Sequence, residues 1–354
     1  MADSAQIATP ASRARNDDLH RHREAEGLTR HREAEGRGGP EPSLRGPRKG
    51  DMAIHLDGVL LLDKPIGPSS TRVLSHVKKL FNAKKAGHGG TLDPMASGLL
   101  PIMFGEATKY AADGLDADKL YEATIRLGVK TSSGDGEGEV LETADVPAQL
   151  DQSRIEAVLA KFIGEQQQIP PLFSALKKDG KPLYAYARAG KDVERAPRTI
   201  TIYELTLLSL ALPLLTVRVS CSKGTYVRTL AEDIGAALGV PAHLQALRRV
   251  GVGRLVGADM VALDLLESAS LDQRMASVKP VDWLLRELPE LELCSADVEK
   301  FRHGQTVKVS GTMSSKVPDT IRVRVKNQSG VFLGTGFLDS THRLSPERVR
   351  VSSS

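Results

Sequence analysis

Two stretches of strictly alternating residues constrain the fold of this 354-residue chain most strongly. In YEATIRLG, at 121–128, and in LTVRVSC, at 215–221, every second side chain is apolar. Successive side chains of a β-strand point to opposite faces, so the alternation predicts strands with one buried face. Further strands are predicted at 58–65, where the apolar run GVLLLDKP ends at a proline, and at 200–210.

Segments with helical spacing separate these strands. Apolar residues recur at 73, 74, 77, 80 and 81, which predicts a helix that Ser70 can cap. A second helix is predicted at 151–164, with Gly164 just beyond its end, and a third at 227–239, ended by Gly239. HLQALRRVGVGRL, at 243–255, reads as a short helix that runs into an extended segment. The predicted fold class is α+β, a mostly antiparallel mixed sheet with flanking helices.

Three regions suggest how the chain is divided. Residues 170–190 lack a clean period and are rich in basic and small residues, which predicts a long, partly mobile loop or arm. Strand-like pieces near the C-terminus, TIRVRVK and GVFLGTGFL, predict a small β-rich module over 286–354. The main domain is then expected to span 52–285.

Residues 1–51 differ in composition from the rest. They contain RHREAEG twice and carry ten Lys or Arg and nine Asp or Glu with few large apolar residues. Such a segment cannot bury enough surface to offset its ordering entropy, so a disordered tail is expected, or a start at Met52. A transit peptide is disfavoured by the nine acids, and metal binding by His20, His22 and His31 is a minor alternative.

Composition sets broad limits on function. The net charge of +4 permits a nucleic-acid partner without requiring one. Cys221 and Cys294 are the only cysteines, which fits a reducing compartment. No apolar run approaches a membrane span of about 20 residues, and no secretory signal is present, so the chain is expected in the cytoplasm or an organelle interior. The motifs GxxxxGK[ST], HExxH and GxSxG are missing.

The most unusual local sequence is AGHGGTLDPMASGLLP, at 86–101, in which glycines precede a single acid, Asp93, and Pro94 follows it. Judged by residue chemistry alone, Asp93 is best read as a turn residue or a helix N-cap. The glycines and the proline also stiffen both sides of the turn, which would hold a reactive carboxylate in one geometry. A hydrolase with two carboxylates would need Asp63 to reach Asp93 through folding.

An ordered series of motifs favours the interpretation of Asp93 as a reactive carboxylate. LLLDKPIGPSS, AGHGGTLDP, DKLYEATIRLG, IPPLFSALKKDGKPLYAYARAG, CSKGTYVRTLAEDIG and HLQALRR follow one another over about 56–255. This series resembles the pseudouridine synthases of the TruB type. The resemblance implies a pseudouridine-synthase fold, a PUA-like C-terminal module and isomerisation of a uridine in the T loop, position 55, of transfer RNA.

The resemblance also implies roles for particular residues. Asp93 matches the catalytic aspartate, Tyr121 the tyrosine that stacks on the target base, and Arg228 the arginine that pairs with the aspartate. His88 matches a histidine of the RNA-binding turn and Lys64 a lysine beside the active site. Many members have Thr where this chain has Gly89, which puts the contacts of that turn in doubt.

The remaining substrate contacts are expected from basic residues. We expect phosphates to be held by the helix at 72–85, by the arm from Lys177 to Arg188, including Lys181, and by Arg248 and Arg249. Tyr226 is expected to pack beside Arg228 on the substrate side. No metal and no cofactor is implied. The chain is expected to be a monomer, and its expected partner is transfer RNA. Neither a membrane nor a nucleotide cofactor is expected.

Two other functions stay open. The related guide-RNA-directed synthases share similar motifs but work inside a ribonucleoprotein. A protein that only binds or folds transfer RNA is a further alternative, which the presence of Asp93, Tyr121 and Arg228 disfavours. Whether the aspartate attacks the sugar or removes a sugar proton is not decided by sequence.

Overall fold

A computed structural model describes residues 53–174, 176–253, 255–309 and 320–351. All of these fall within one compact unit that spans 44–354. The predicted tail at 1–51, its histidines and Met52 lie outside the described residues. No helix among the described residues is long and apolar enough to cross a membrane.

The described part of the chain contains eight α-helices and nineteen strands, some of them only two residues long. The helices are α1 Ser70–Leu80, α2 Ala111–Asp116, α3 Gln152–Leu159, α4 Leu183–Arg188, α5 Val227–Leu238, α6 Leu263–Ser268, α7 Leu271–Ala276 and α8 Ser295–Arg302. The strands are β1 Gly58–Lys64, β2 Ala86–His88, β3 Ala96–Phe104, β4 Lys119–Leu127, β5 Val129–Thr131, β6 Val140–Thr143, β7 Gly164–Gln168, β8 Lys177–Lys178, β9 Lys181–Pro182, β10 Arg198–Ala211, β11 Leu214–Cys221, β12 Ala242–Val252, β13 Leu255–Val256, β14 Val261–Ala262, β15 Glu290–Leu293, β16 Val307–Lys308, β17 Thr320–Asn327, β18 Phe332–Asp339 and β19 Arg343–Val349.

A ten-stranded mixed sheet forms the centre of the molecule. Its main order is β14-β1-β3-β12-β4-β11-β10-β7, with β2 beside β3 and β13 beside β12. The pairs β1–β14 and β3–β12 are parallel, and the other pairs are antiparallel. The predicted α+β class with a mostly antiparallel sheet is therefore confirmed.

The alternating segments occupy the middle of this sheet. In β4, Tyr121, Ala123, Ile125 and Leu127 are buried while the residues between them are more exposed. Helices α3 and α5 cover this face and pack Ile155 and Ile234 into the same apolar core. Gly239 ends α5 in a left-handed conformation, as predicted.

The helix predicted within 243–255 is wrong, because this segment forms β12. The strand lies between β3 and β4 and pairs with both. Register shifts occur between Leu244 and Ala246 and between Arg249 and Gly251. Such bulges insert extra residues, so the apolar positions lose the period of two that marks a strand in the sequence.

Two predicted helix ends also differ. Ser69, not Ser70, caps α1 by accepting a hydrogen bond from the Arg72 amide. Ser70 Oγ instead accepts from the Leu92 amide and donates to the Leu92 carbonyl, which ties α1 to the segment before Asp93. Helix α3 ends at Leu159, and Gly164 begins β7 rather than ending the helix.

The arm at 170–190 has more regular structure than predicted. Its described residues include the β8–β9 hairpin and α4, and Leu183 is buried. The Leu183 amide donates to the Leu176 carbonyl and the Tyr184 amide to the Ser174 carbonyl. These local hydrogen bonds give the arm a definite shape that the irregular sequence pattern did not reveal.

A five-stranded sheet forms the C-terminal β-rich module, in the order β15-β17-β18-β19-β16. Phe301 of α8 packs with Val323, Val325 and Leu344 in its own core. Tyr110 and Phe332 meet edge to face with centroids 5.6 Å apart, joining the module to the main body. Arg322 bridges Asp113 and Glu347 across the same contact. The boundary at 285/286 stays a prediction.

We predict that Gly98→Ala destabilises the fold by more than about 1 kcal/mol. Gly98 has φ +100°, and a Cβ there would lie 2.2 Å from the Arg249 carbonyl oxygen on β12. Chemical unfolding measures the loss. Gly87→Ala is the matched control, since its Cβ would lie 3.8 Å from Thr108 Cγ2. Equal stability of the Gly98 variant and the wild type would contradict the close strand contact.

Candidate active site

A cavity of about 360 Å³ opens where several of the sequence motifs meet in space. The turn before β3 contributes Asp93, β4 contributes Lys119 and Tyr121, and the start of α5 contributes Arg228. The central strand β12 adds Arg249 to its wall. Segments that are far apart in the sequence thus enclose one cavity that several charged side chains line.

The turn that carries Asp93 is fixed from three directions. The Asp93 carbonyl accepts from the Ala96 amide, and the Pro94 carbonyl accepts from the Gly67 amide. Lys64 is fully buried, and its ammonium donates to the carbonyls of Pro65, Pro94 and Ala96. Asp93 opens a turn into β3, so the helix N-cap alternative is wrong.

Arg228 lies against Asp93, with 3.1 Å between Nη2 and Oδ2. The Arg228 side chain is buried and also donates to the carbonyls of Ser133, at 2.9 Å, and Phe173, at 2.6 Å. Both terminal nitrogens of the guanidinium therefore have hydrogen-bond partners in the protein, which fixes the orientation of the group. Such a guanidinium can hold a carboxylate in one orientation.

A second carboxylate that the sequence did not single out also faces Arg228. Asp135 Oδ2 lies 3.6 Å from Arg228 Nη1, and the Asp135 side chain is buried. Asp135 follows β5 in the turn-rich segment 132–140, and its backbone bridges to Leu244 of β12. Asp63, the acid considered as a partner of Asp93, instead binds Arg248 through two hydrogen bonds of 3.0 and 2.6 Å.

Neighbouring groups shift the pKa of Asp93 in opposing directions. Burial raises the pKa of this carboxyl above its usual value, while the charge of Arg228 lowers it and Asp135 raises it. The Asp93 side chain keeps 39% of its surface exposed, because it faces the open cavity. The arginine thus supports an ionised carboxylate where the surrounding protein disfavours one.

Tyr121 and Arg249 form another wall of the cavity. Tyr121 is 9% exposed, and burial raises the pKa of its hydroxyl while the charge of Arg249 lowers it. Arg249 is 1% exposed and donates to the carbonyls of Leu99 and Gly90. The prediction that Arg249 holds a phosphate required an exposed cation, whereas Arg249 is buried.

The other predicted substrate residues lie in different surroundings. Tyr226 lines the cavity beside Arg228, and burial raises the pKa of its hydroxyl. His88 is half-buried on β2, and burial lowers its pKa. A Cβ at Gly89 would meet Pro101 Cβ at 3.6 Å, an ordinary contact, so the backbone there does not require glycine. Arg248 is half-exposed and paired with Asp63.

Exposed cations lie on the arm and on α1. Lys177 of the arm lines a second cavity, of about 450 Å³, and Lys181 is exposed beside it in the hairpin. On and after α1, basic side chains face solvent without acids between them in sequence; they are Arg72, Lys78, Lys79, Lys84 and Lys85.

Comparison with protein families identifies three matching models. The model described as TruB family pseudouridylate synthase, N terminal domain, matches residues 78–227. The tRNA pseudouridylate synthase B C-terminal domain matches 228–287, and the model described as Pseudouridine synthase II TruB, C-terminal, matches 289–349.

Curated relatives and solved structures agree with these matches. A protein of Burkholderia mallei (strain ATCC 23344) named tRNA pseudouridine synthase B is 55% identical over 309 residues, covering 86% of this chain and 98% of that protein. One of the same name from Ralstonia nicotianae is 51% identical, covering 82% and 90%. The crystal structure of a Cbf5-Nop10-Gar1 complex has a chain with TM-score 0.62 and 28% identity, covering 85% and 87%.

We predict that Asp93→Asn is at least as thermally stable as the wild type at pH 8. The pKa of Asp93 is raised in the folded state, so ionising this carboxyl costs the folded protein stability as pH rises through that pKa. The variant removes this cost, and its advantage is expected to shrink towards pH 4, where Asp93 takes up a proton.

Melting temperatures at the two pH values check this prediction. Asp63→Asn is the control and should lower stability at pH 8, because it weakens the paired hydrogen bonds to Arg248. A clearly less stable Asp93 variant at pH 8 would show that the ion pair with Arg228 outweighs the burial of Asp93.

Proposed function

The chain belongs to the TruB family of pseudouridine synthases, and from this premise we propose that it converts the T-loop uridine at position 55 of transfer RNA to pseudouridine. The observation that supports this most directly is the 3.1 Å ion pair of Asp93 and Arg228 in a cavity that Tyr121 lines. The relatives from Burkholderia and Ralstonia carry transfer RNA in their names.

The reaction detaches uracil from its ribose, rotates it and rejoins it through C5. We assign Asp93 the step at the sugar, where a carboxylate either attacks C1′ or removes a proton from C2′. Both steps need an ionised carboxylate. The charge of Arg228 favours that form against the effect of burial, and the carbonyls of Ser133 and Phe173 keep the arginine in place.

The target base must leave the folded T loop before it can reach Asp93. Flipping a nucleotide out of its stack costs a few kcal/mol, and stacking on an aromatic ring offsets about 1–3 kcal/mol of that. We assign this stacking to Tyr121, which lies in the cavity wall. Tyr226, at the start of α5, would border the sugar side, and Lys64 would act indirectly by holding the Asp93 turn.

The remaining RNA contacts are proposed for exposed cations. Arg72 and Lys78–Lys79 on α1 and Lys177 and Lys181 on the arm would neutralise phosphates, and Arg248 and His88 would make further contacts to the RNA. We further propose a catalytic domain at 52–285, a PUA-like RNA-binding module at 286–354 and action as a cytoplasmic monomer, where transfer RNA is available.

A second candidate follows from the solved structures. The chain of the Cbf5-Nop10-Gar1 complex aligns with TM-score 0.62, and one in a structure of an H/ACA RNP bound to a substrate RNA aligns with 0.63 at 25% identity. Action inside such an assembly is the alternative to a stand-alone enzyme. Turnover of bare transfer RNA by the pure protein would support a stand-alone enzyme over a subunit of such an assembly.

We predict that transfer RNA from cells without this gene lacks pseudouridine at position 55 and regains it on complementation. Mass-spectrometric mapping of the T loop measures this. Pseudouridine retained at position 55, with loss at another position, would contradict the assigned target. A transcript with cytidine at position 55 is the matched control and should yield no product with the pure protein.

We predict that Asp93→Asn lowers the rate of pseudouridine formation by more than about 10⁴-fold, since it removes the reacting carboxylate. Release of tritium from a transcript labelled at C5 of uridine measures the rate. Binding of transfer RNA should persist, because the cavity keeps its shape. Asp145→Asn, at an exposed position, is the control and should be fully active. Turnover by the purified Asp93 variant would refute the assignment.

We predict that a variant with both Lys177→Ala and Lys181→Ala binds transfer RNA more weakly and with a smaller salt dependence. Each lost phosphate contact should reduce the slope of log K against log salt by about 0.7–0.9, so the pair should reduce it by about 1.5. Binding titrations over a range of salt concentrations measure the slope. Lys161→Ala, at an exposed position after α3, should keep the wild-type slope. A wild-type slope for the double variant as well would show that the arm does not contact phosphates.

A further inference from the structure

Two buried lysines lie close to the active-site cavity, and they differ in how fully they are satisfied. An ammonium group has three donors. Lys64 directs its donors to three backbone carbonyls, of Pro65, Pro94 and Ala96. Lys119 donates to two carbonyls among the described residues, those of Leu115 and Ala117, and its side chain lines the cavity. One donor of Lys119 is thus available to a ligand.

The position of Lys119 relates it to Tyr121. The two residues are separated by one position on β4 and share its buried face. Tyr121 is paired across the sheet with Arg249, and Lys119 is paired with Cys221 and Val252. A base that stacks on Tyr121 would therefore have Lys119 within the same wall of the cavity.

The charges around the cavity fall into two groups. Asp93, Arg228 and Asp135 interact with one another on one side. Lys119 and Arg249 form the other group, and burial together with the charge of Arg249 lowers the pKa of Lys119 to about 8. The cavity thus combines a carboxylate suited to the sugar with two buried cations suited to a negatively charged base.

We propose that Lys119 donates a hydrogen bond to a carbonyl oxygen of the target uracil and stabilises the negative charge on the base after the glycosidic bond breaks. This inference rests on the proposed function. When the bond between C1′ and N1 breaks, its electron pair stays with the base and spreads onto O2 and O4. Lys119 keeps its proton throughout. The base then bonds to C1′ through C5, the C5 proton leaves and N1 takes up a proton.

Arg249 is less suited to this task although it is also cationic. Its Nε and Nη2 are engaged by the carbonyls of Leu99 and Gly90, at 2.7 and 3.0 Å. Its guanidinium is therefore fixed in the wall and is further engaged by the Tyr121 hydroxyl, whereas Lys119 keeps one donor for a ligand. A donor placed where charge develops contributes strongly to a rate, typically about 10²–10³-fold for one hydrogen bond.

The test compares Lys119→Met, which keeps the aliphatic stem, with Lys119→Arg, which keeps the charge. Single-turnover rates at saturating protein, dissociation constants for a transfer RNA transcript and melting temperatures are measured for both. We expect the Met variant to lose about 10²–10³-fold in single-turnover rate. Its affinity and melting temperature should stay close to wild type, and the Arg variant should recover part of the rate.

The pH dependence gives a readout that a structural role would not move. Deprotonation of Lys119 removes its charge as pH rises through about 8, so the wild-type rate should fall there. In the Met variant the decline should become smaller, and any decline that remains belongs to Lys64, whose pKa burial also lowers to about 8. Lys64→Met is the contrasting control: it leaves three carbonyls around the Asp93 turn without their donor, so it should lower the melting temperature and the rate but keep the decline that Lys119 causes.

Other outcomes overturn the proposal. A Met variant with a normal saturated rate but weaker, less salt-dependent binding would assign Lys119 to a phosphate. A lowered melting temperature that explains the whole rate loss, without rescue by arginine, would assign it a structural role. Rates, affinities and melting temperatures equal to those of the wild type would exclude any role of Lys119. If the wild type forms no pseudouridine on the transcript, the proposed function fails as well, which separates the two failures.

Discussion

The contact on which the rest of the site depends is the one between the buried guanidinium of Arg228 and two carboxylates. Arg228, at the start of α5, binds Asp93 before β3 and Asp135 after β5, and it also holds the carbonyls of Ser133 and Phe173. A buried cation without partners would be strongly unfavourable, so these segments must converge for the fold to be stable. The same convergence places an ionisable carboxylate in a cavity.

Strand β12 shows how one motif can serve two environments. Its adjacent arginines, Arg248 and Arg249, point to opposite sides of the sheet, as neighbouring residues of a strand must. Arg248 reaches Asp63 near the surface, whereas Arg249 is enclosed between Leu99 and Gly90. Gly98 permits this, because any side chain there would collide with the backbone of Arg249. The alternation of β12 thus determines which arginine lines the cavity, and the close approach of two backbones allows the strands to pair there.

The two buried lysines illustrate that residue type alone does not define a role. Lys64 is saturated by three carbonyls and fixes the turn of Asp93, while Lys119 keeps a donor towards the cavity. Burial lowers the pKa of both to about 8. Their difference lies in hydrogen-bond partners, which the sheet and the end of α2 supply. An argument from charge or from pKa alone would treat the two lysines as equivalent.

The sequence by itself determined the strands with a period of two, such as β4 and β11, the helices α1 and α5, and the order of motifs that marks the family. These depend on local periodicity and on residues such as Gly239, which act within a few positions. Only the tertiary structure decided that 242–252 is a strand, because its bulges hide the period and its pairing with β3 and β4 replaces local preference. It alone brought Asp135 to Arg228 and left Lys119 with a donor free, since the distances between residues remote in sequence are set by packing.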